Sequence, residues 1–266
     1  MMRRLVLICS IVLVSASVFA QSLPAAPQTS APAPPQGAGR AVPTPEEIAA
    51  RQRAQQERLL NDWPNLARYR DENAKLAAPA SNEHRVVFYG DSITDGWGRV
   101  QGAFFPGKPY VNRGISGQTT AQMVVRFRQD VVNLKPKVVV ILAGTNDIAG
   151  NTGPASPEMI QDNFKSMVDI AKANDIKVVL SSILPASDYP WKPGLDPGPK
   201  IVALNTWLKD YASRHRLVYL DYYPAVVDDK LGMRAELASD GVHPTKAGYD
   251  VMSPLAEKAI AQALRK

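Results

Sequence analysis

Short apolar runs alternate with amphipathic segments from residue 85 to the end of the chain. Four of these runs are rich in Val, Ile and Leu without polar alternation, which is typical of strands that are covered on both faces. They occupy residues 86–89, 138–143, 178–184 and 217–220, and a fifth strand is predicted at 110–112. The intervening segments repeat apolar residues at helical spacing, as Met123 and Phe127 do. This alternation predicts an α/β fold, a three-layer α/β/α sandwich around a mostly parallel five-stranded sheet.

A helical extension is predicted ahead of this domain, over residues 46–84. Thr44 and Pro45 stand where a cap residue and a first helical residue are expected, and two glutamates follow them. Trp63 and Tyr69 are large aromatic residues later in the same segment. We expect them to anchor the extension on the domain that follows.

The first residues of the chain have the pattern of an export signal. Residues 1–20 combine a basic start at Arg3 and Arg4, an apolar stretch and a small-residue exit that ends at Ala20. A retained membrane anchor is the alternative, but the apolar stretch is shorter than the roughly 20 residues that a spanning helix needs. Residues 21–45 are rich in Pro and Ala and are predicted to form a disordered linker. The protein is therefore expected in the periplasm or outside the cell, without stable membrane insertion after cleavage.

Composition and charge exclude several classes of function. The single cysteine, Cys9, lies inside the predicted signal peptide, so neither disulfides nor thiol catalysis are expected in the mature protein. The formal charge of +6 comes from 31 basic and 25 acidic residues. The basic residues form no run and no interleaved pattern with aromatic residues, so we expect no nucleic-acid partner. The oligomeric state is left open.

Candidate catalytic side chains follow the predicted strands, where α/β sheets collect their functional loops. Ser92 follows the first strand, Asn146 follows the third, and Asp240 and His243 stand just before the last helix. Serine catalysis needs a base, a carboxylate that orients the base, and donors for the oxyanion. Of the three histidines, His243 alone lies in a Gly- and Pro-bounded loop with an acid three residues earlier. These residue types together suit acyl transfer.

Four short segments, taken in order, resemble the conserved blocks of the GDSL, or SGNH, hydrolase family. They are GDSIT at 90–94, NRGISGQTT at 112–120, GTND at 144–147 and DGVHP at 240–244. The resemblance covers residues 85–266 and is nearest to bacterial esterases of the platelet-activating-factor acetylhydrolase type. It implies an SGNH hydrolase domain that needs no cofactor and no metal. Ile93 replaces the leucine of the family's name, an apolar change that leaves the chemistry intact.

The resemblance also implies a role for each matching residue. Ser92 matches the nucleophile, His243 the general base and Asp240 the acid that orients it. The oxyanion donors would be the N–H groups of Ser92 and Gly114 and the side-chain amide of Asn146.

The expected function is that of a secreted serine esterase that hydrolyses short-chain acyl esters, acetyl esters above all, with small molecules or polysaccharides as substrates. Asp91 and the Pro-rich loop 185–199, with Tyr189 and Trp191, are candidate substrate contacts. A thioesterase or a lysophospholipase of the same family remains open, as does a non-catalytic glycan-binding module on this scaffold. A metallohydrolase is disfavoured, because no HxH, HxxxH or DxDxDG spacing joins its candidate ligands, which are Asp91, Asp95, Asp147, Asp240 and His243.

Overall fold

The computed structural model describes residues 44–266. The predicted signal peptide, 1–20, and nearly all of the predicted linker, 21–45, lie outside the described residues. Among the helices of the described part, none combines the length and the apolar character that crossing a membrane requires.

Five parallel strands form one sheet in the order β2-β1-β3-β4-β5. The strands are β1 Val86–Gly90, β2 Tyr110–Gly114, β3 Val138–Leu142, β4 Lys177–Ser181 and β5 Val218–Leu220. The prediction of an α/β sandwich is confirmed, and the sheet is parallel throughout. Since β1 and β3 lie side by side with β2 and β4 flanking them, their carboxyl ends meet at one edge of the sheet.

Helices cover both faces of this sheet. The helices of the described residues are α1 Pro45–Asn61, α2 Arg70–Lys75, α3 Ser92–Gln101, α4 Thr120–Asp130, α5 Thr145–Ile148, α6 Pro157–Lys172, α7 Pro197–Arg214, α8 Tyr223–Val226 and α9 Lys246–Arg265, with a 3₁₀ turn at Val132–Leu134. Successive strand residues point to opposite faces, so Val87 and Tyr89 pack with α4, α6 and α7. Val86 and Phe88 pack with α3 and α9 on the other face. The sheet is thus the middle layer between two apolar cores.

The fourth strand is shorter than its apolar run predicts. The run 178–184 stays buried to its end, but β4 stops at Ser181. Beyond it, the side chain of Asn205 accepts from the N–H of Ile183 at 2.8 Å and donates to its carbonyl oxygen at 2.9 Å. An amide side chain thereby replaces a neighbouring strand, and burial alone does not distinguish the two situations.

The predicted extension has an exposed helix and a buried anchor. Helix α1 begins at Pro45, and the side chain of Leu60 near its end is 86% exposed. Tyr69 is buried, and its hydroxyl donates to the carbonyl oxygen of Gly114 at 2.5 Å. The guanidinium of Arg113 lies over the Tyr69 ring, 4.6 Å from its centroid. Tyr69 therefore ties the extension to the carboxyl end of β2.

Candidate active site

Ser92, His243 and Asp240 form a hydrogen-bonded chain at the carboxyl edge of the sheet. Ser92 is the first residue of α3, directly after β1, and its Oγ lies 2.9 Å from Nε2 of His243. Nδ1 of His243 lies 2.8 Å from Oδ2 of Asp240. The structure thus brings together the three residues that the sequence assigns to catalysis, although 151 positions separate the serine from the histidine.

The loop before α9 is shaped by Asp240 itself. Its Oδ1 accepts from the backbone N–H groups of Val242 and His243, at 3.0 and 2.8 Å, and Gly241, which directly follows Asp240, has a φ of +82°. Partial burial raises the pKa of Asp240, but the hydrogen bonds from the backbone and ring of His243 and from Val242 outweigh it, so this pKa is lower than usual. Asp240 is therefore ionised at neutral pH. A carboxylate only accepts, so Nδ1 of His243 carries the proton and Nε2 can accept from Ser92.

Asp91 lies beneath the serine and does not face the substrate side, contrary to the expectation from the sequence. It is fully buried and caps α3, with its Oδ1 accepting from the N–H of Ile93 at 3.0 Å. Its other oxygen, Oδ2, has no hydrogen-bond partner within residues 44–266. Burial away from water raises the pKa of Asp91 to about 7. A helix cap uses only one of the two carboxylate oxygens, which leaves the second buried and without a partner among the described residues.

Gly114 does not reach the site either. Its N–H donates to Oδ1 of Asn112 at 2.9 Å, and Gly114 still belongs to β2, in register with Gly90. A Cβ at Gly114 would collide with the backbone of Asp95. This position requires glycine because α3 packs directly against the end of β2, and its N–H is already in use.

Gly117, three residues later, occupies the place expected of Gly114. It lines the same cavity as Ser92, Asn146 and His243. Its φ of +80° lies in the left-handed region that glycine tolerates. In the described part of the chain its N–H donates to no acceptor. The sequence signal is the second glycine of NRGISGQTT, which lies in the turn before α4 rather than in the strand.

Asn146 is buried at the start of α5 and is held on both sides of its amide. Nδ2 donates to the carbonyl oxygen of Gln118 at 2.9 Å, and Oδ1 accepts from Nδ2 of Asn151 at 2.8 Å. The next residue, Asp147, accepts from the N–H and the hydroxyl of Thr120 at the start of α4. Burial raises the pKa of Asp147, and the bonds from Thr120 partly oppose that rise. The loops after β2 and β3 are thus joined around Asn146.

An open cavity of about 510 Å³ lies over Ser92. Trp191 lines it, with its ring 6.0 Å from that of His243. Tyr189, the other aromatic residue expected to contact substrate, is fully buried and donates to or accepts from Thr145 at 3.0 Å. The Tyr189 ring stacks on Trp191 at 5.0 Å. Tyr189 therefore packs beneath the Trp191 ring, and of these two aromatic residues only Trp191 is available to a ligand.

The extension contributes a wall of this cavity that the sequence did not indicate. Trp63 and Asn65 line it from the side of α4. Gln122 donates to the carbonyl oxygen of Trp63 at 2.6 Å, and Gln118 donates to that of Pro64 at 2.6 Å. These contacts join positions more than fifty residues apart, so no local pattern could reveal them.

The remaining carboxylates near the site do not converge on a common point. Asp95 accepts from the hydroxyl of Ser116 at 2.5 Å and pairs with Arg99 at 3.3 Å, whereas Asp147 is bonded to Thr120. Across residues 44–266, no three His, Cys, Asp or Glu side chains are grouped so that they could hold a metal ion.

Comparisons with known proteins identify the family of this chain. The model of the GDSL-like lipase/acylhydrolase family matches residues 88–251. A GDSL-like lipase from Bacteroides thetaiotaomicron is 46% identical, with a TM-score of 0.74 over 76% of this chain and 100% of that chain. Esterase TesA from Pseudomonas aeruginosa is 31% identical over 138 residues, which are 52% of this chain and 62% of TesA. An acetylxylan esterase from Xylanibacter ruminicola is 24% identical over 241 residues, 77% of this chain and 47% of that protein.

The two curated relatives are each matched over less than two thirds of their own length. The family match, in contrast, spans more than half of this chain and contains Ser92, Asn146, Asp240 and His243. It confirms the family predicted from the four short segments. This chain belongs to the GDSL-like lipase/acylhydrolase family.

Proposed function

We propose that this protein is a secreted serine esterase that removes short acyl groups, acetyl above all, from small-molecule or carbohydrate esters. The observation that carries the proposal is the 2.9 Å contact between Ser92 Oγ and His243 Nε2 at the floor of an open cavity. A serine hydroxyl is a weak nucleophile unless a base takes its proton, and the imidazole stands at hydrogen-bonding distance for that transfer.

In the proposed reaction, Ser92 Oγ attacks the ester carbonyl carbon while His243 Nε2 takes its proton. The carbonyl oxygen becomes an oxyanion, which accepts from the N–H groups of Ser92 and Gly117 and from Nδ2 of Asn146. The Ser92 N–H belongs to the first turn of α3, where the helix dipole favours negative charge. His243 then gives its proton to the departing alcohol, and water releases the acid from the acyl-enzyme by the reverse steps.

The character of the cavity supports a compact acyl group on a polar alcohol. Its walls carry hydroxyl, amide and indole groups: Ser116, Gln118, Asn151, Thr152, Trp63 and Trp191. Polar groups at fixed positions select hydroxylated ligands, whereas a long acyl chain requires a continuous apolar surface. The likeness to an acetylxylan esterase points in the same direction. Export rests on the predicted signal peptide, 1–20.

Labelling with a fluorophosphonate probe tests the catalytic assignment. The probe reacts with activated serines, so we expect it to label the wild-type protein and Ser116→Ala, but not Ser92→Ala. Ser116 is the matched control because it lines the same cavity. An unlabelled wild-type protein would favour the non-catalytic glycan-binding module instead.

The substrate class is tested separately with p-nitrophenyl esters of increasing acyl length and with acetylated xylan. We expect the highest kcat/KM for the acetyl ester, and release of acetate from the polysaccharide. A preference for long acyl chains, for lysophospholipids or for thioesters would contradict the substrate assignment and leave the triad in place.

A further inference from the structure

Asn151 connects the candidate oxyanion donor to the aromatic wall of the cavity. Its backbone N–H donates to the carbonyl oxygen of Asn146 at 3.0 Å, and its Nδ2 donates to Oδ1 of Asn146 at 2.8 Å. Its own Oδ1 accepts from the indole Nε1 of Trp191 at 3.1 Å. Nδ2 of Asn151 also donates to the carbonyl oxygen of Gly117, at 3.4 Å. Two amides and an indole therefore form one directed chain of hydrogen bonds, with a longer side branch to Gly117.

The direction of this chain follows from the chemistry of the indole. A side-chain amide has nearly the same shape in its two orientations, so only its hydrogen-bond partners decide where its nitrogen lies. The indole N–H of Trp191 can only donate, so it requires the oxygen of Asn151. Nδ2 of Asn151 must then face Asn146 and requires the oxygen of that residue. Nδ2 of Asn146 is left on the opposite side, where one of its hydrogens meets the carbonyl of Gln118.

We propose that Asn151 and Trp191 are positioning residues that hold the amide of Asn146 with its nitrogen toward the reacting carbonyl. The inference rests on the proposed function, because it requires Asn146 to be an oxyanion donor. The second hydrogen of Asn146 Nδ2 is the one that remains for the substrate. Trp191 is 42% exposed and lines the cavity, so a residue of the cavity wall would also fix the oxyanion hole.

Asn151→Asp tests the direction of the chain. The carboxylate still accepts from Trp191 but cannot donate to Asn146, so it attracts Nδ2 of Asn146 and turns the amide away from the substrate. We expect kcat to fall by about 10- to 100-fold, somewhat less than removal of an oxyanion donor, with KM changed less than threefold. Asn151→Ala removes the hydrogen bond to Asn146 without attracting its nitrogen to the wrong side, so kcat should fall less than in Asn151→Asp. A purely structural role would give the opposite order.

A double-mutant cycle separates this effect from the added negative charge. If Asn151 acts through Asn146, Asn151→Asp should reduce kcat by less than twofold once Asn146 is alanine. A charge that repels the oxyanion directly would reduce kcat equally in both backgrounds, and that result would overturn the proposal.

Trp191→Phe is the uncharged counterpart, because it keeps the ring that stacks on Tyr189 and removes only the donor. We expect kcat to fall about three- to tenfold, the effect of one neutral hydrogen bond, and this loss also to vanish in the Asn146→Ala background. Unchanged kcat in Trp191→Phe would overturn the part assigned to Trp191.

Thermal unfolding midpoints show whether each variant is folded. Labelling of Ser92 in the same proteins tells failure of this proposal from failure of the esterase assignment.

Discussion

The two sides of Ser92, the proposed nucleophile, are built in opposite ways. On the proton-transfer side, the side chains of His243 and Asp240 are 32% and 38% exposed and lie in one short loop. On the oxyanion side, Asn146 and Asp147 are buried and are bonded to the loops after β2 and β3. The proposed reaction would thus use one solvated side and one enclosed side.

The difference follows from what each side has to do. In the second step of the proposed reaction a water molecule must reach the general base and give it a proton, so partial exposure of His243 serves that step. Oxyanion donors act best when they are fixed before the negative charge develops, because no reorganisation is then needed during the reaction. The enclosed side is accordingly the more heavily supported of the two.

Arg126 is the centre of that support. It is fully buried on α4, pairs with Asp130 at 3.1 Å and donates to the carbonyl oxygens of Gly90 and Arg113, at 2.9 Å each. It also donates to the side-chain oxygen of Gln118. The backbone carbonyl oxygen of Gln118 in turn accepts from the side-chain amide of Asn146. One guanidinium therefore fixes the ends of β1 and β2 relative to the oxyanion loop.

Replacement of the serine or its base should have the largest effect. Ser92→Ala and His243→Ala remove the nucleophile and the general base, so we expect kcat to fall by roughly 10⁴-fold or more. The measurement is hydrolysis of p-nitrophenyl acetate, with the thermal unfolding midpoint as a check on folding. His215→Ala is the control, because His215 lies after α7 and outside the cavity. Wild-type turnover in either variant would remove the proton-transfer side from the mechanism.

Asp91 is buried beneath Ser92, and its titration should make the free energy of unfolding depend on pH. Burial raises the pKa of Asp91 from an ordinary value of about 3.8 to about 7. Between these two pH values Asp91 is protonated in the folded state and ionised in the unfolded state. The stability of the folded protein therefore falls as pH rises through this window, by up to about 4 kcal/mol. Asp91→Asn keeps the helix cap and removes the titration.

The expected result is a free energy of unfolding that depends less on pH in Asp91→Asn than in wild type. Denaturant unfolding at pH 4, 5.5 and 8 measures this free energy. As pH rises, Asp91→Asn should become more stable relative to wild type. Asp169→Asn on the exposed side of α6 is the control. A difference between Asp91→Asn and wild type that stays constant from pH 4 to 8 would contradict the raised pKa.

Loss of the oxyanion amide should have an intermediate effect. We expect Asn146→Ala to reduce kcat by roughly 10²- to 10³-fold, the usual scale for one donor, with a smaller change in KM. Asn174→Ala is the control, because Asn174 lies between α6 and the amino end of β4 and does not line the cavity. A loss as large as that of Ser92→Ala would mean that the enclosed side collapses without the amide, and the unfolding midpoint would reveal it.

Much of the fold, and the grouping of Ser92 with Asp240 and His243, could be predicted from the sequence, because local patterns mark the strands and short motifs mark these three residues. Apolar runs mark buried strands, and Ser92 directly follows the first of them. Asp240 and His243 share one turn, so their mutual orientation is set within four residues. Parallel strands then bring the separate segments to one edge.

The structure differs from the sequence predictions mainly where two similar residues lie close together in the chain and only one of them lines the cavity. Gly114 and Gly117 lie in one segment, and only the pairing of β2 with β1 shows that the strand continues through Gly114. Tyr189 and Trp191 share a loop, and the buried one is the residue whose hydroxyl finds Thr145. Trp63 reaches the cavity through contacts with α4, which no periodicity encodes. Tertiary contacts decided each of these cases.

The smallest effect is expected at the rim of the enclosed side, where Trp63 forms a wall outside the segment that the family model matches. A leaving group as small as p-nitrophenol need not reach this wall, whereas a polysaccharide should contact it. Trp63→Ala should therefore lower kcat/KM for acetylated xylan by about two- to tenfold, the range of one aromatic contact, and change that for p-nitrophenyl acetate less than twofold. Leu60→Ala is the matched control, because Leu60 lies in the same extension but is 86% exposed and away from the cavity lining. Equal losses on both substrates would show that the Trp63 ring holds the extension in place against the oxyanion side, since the bond from Gln122 goes to the backbone carbonyl of residue 63, which alanine keeps.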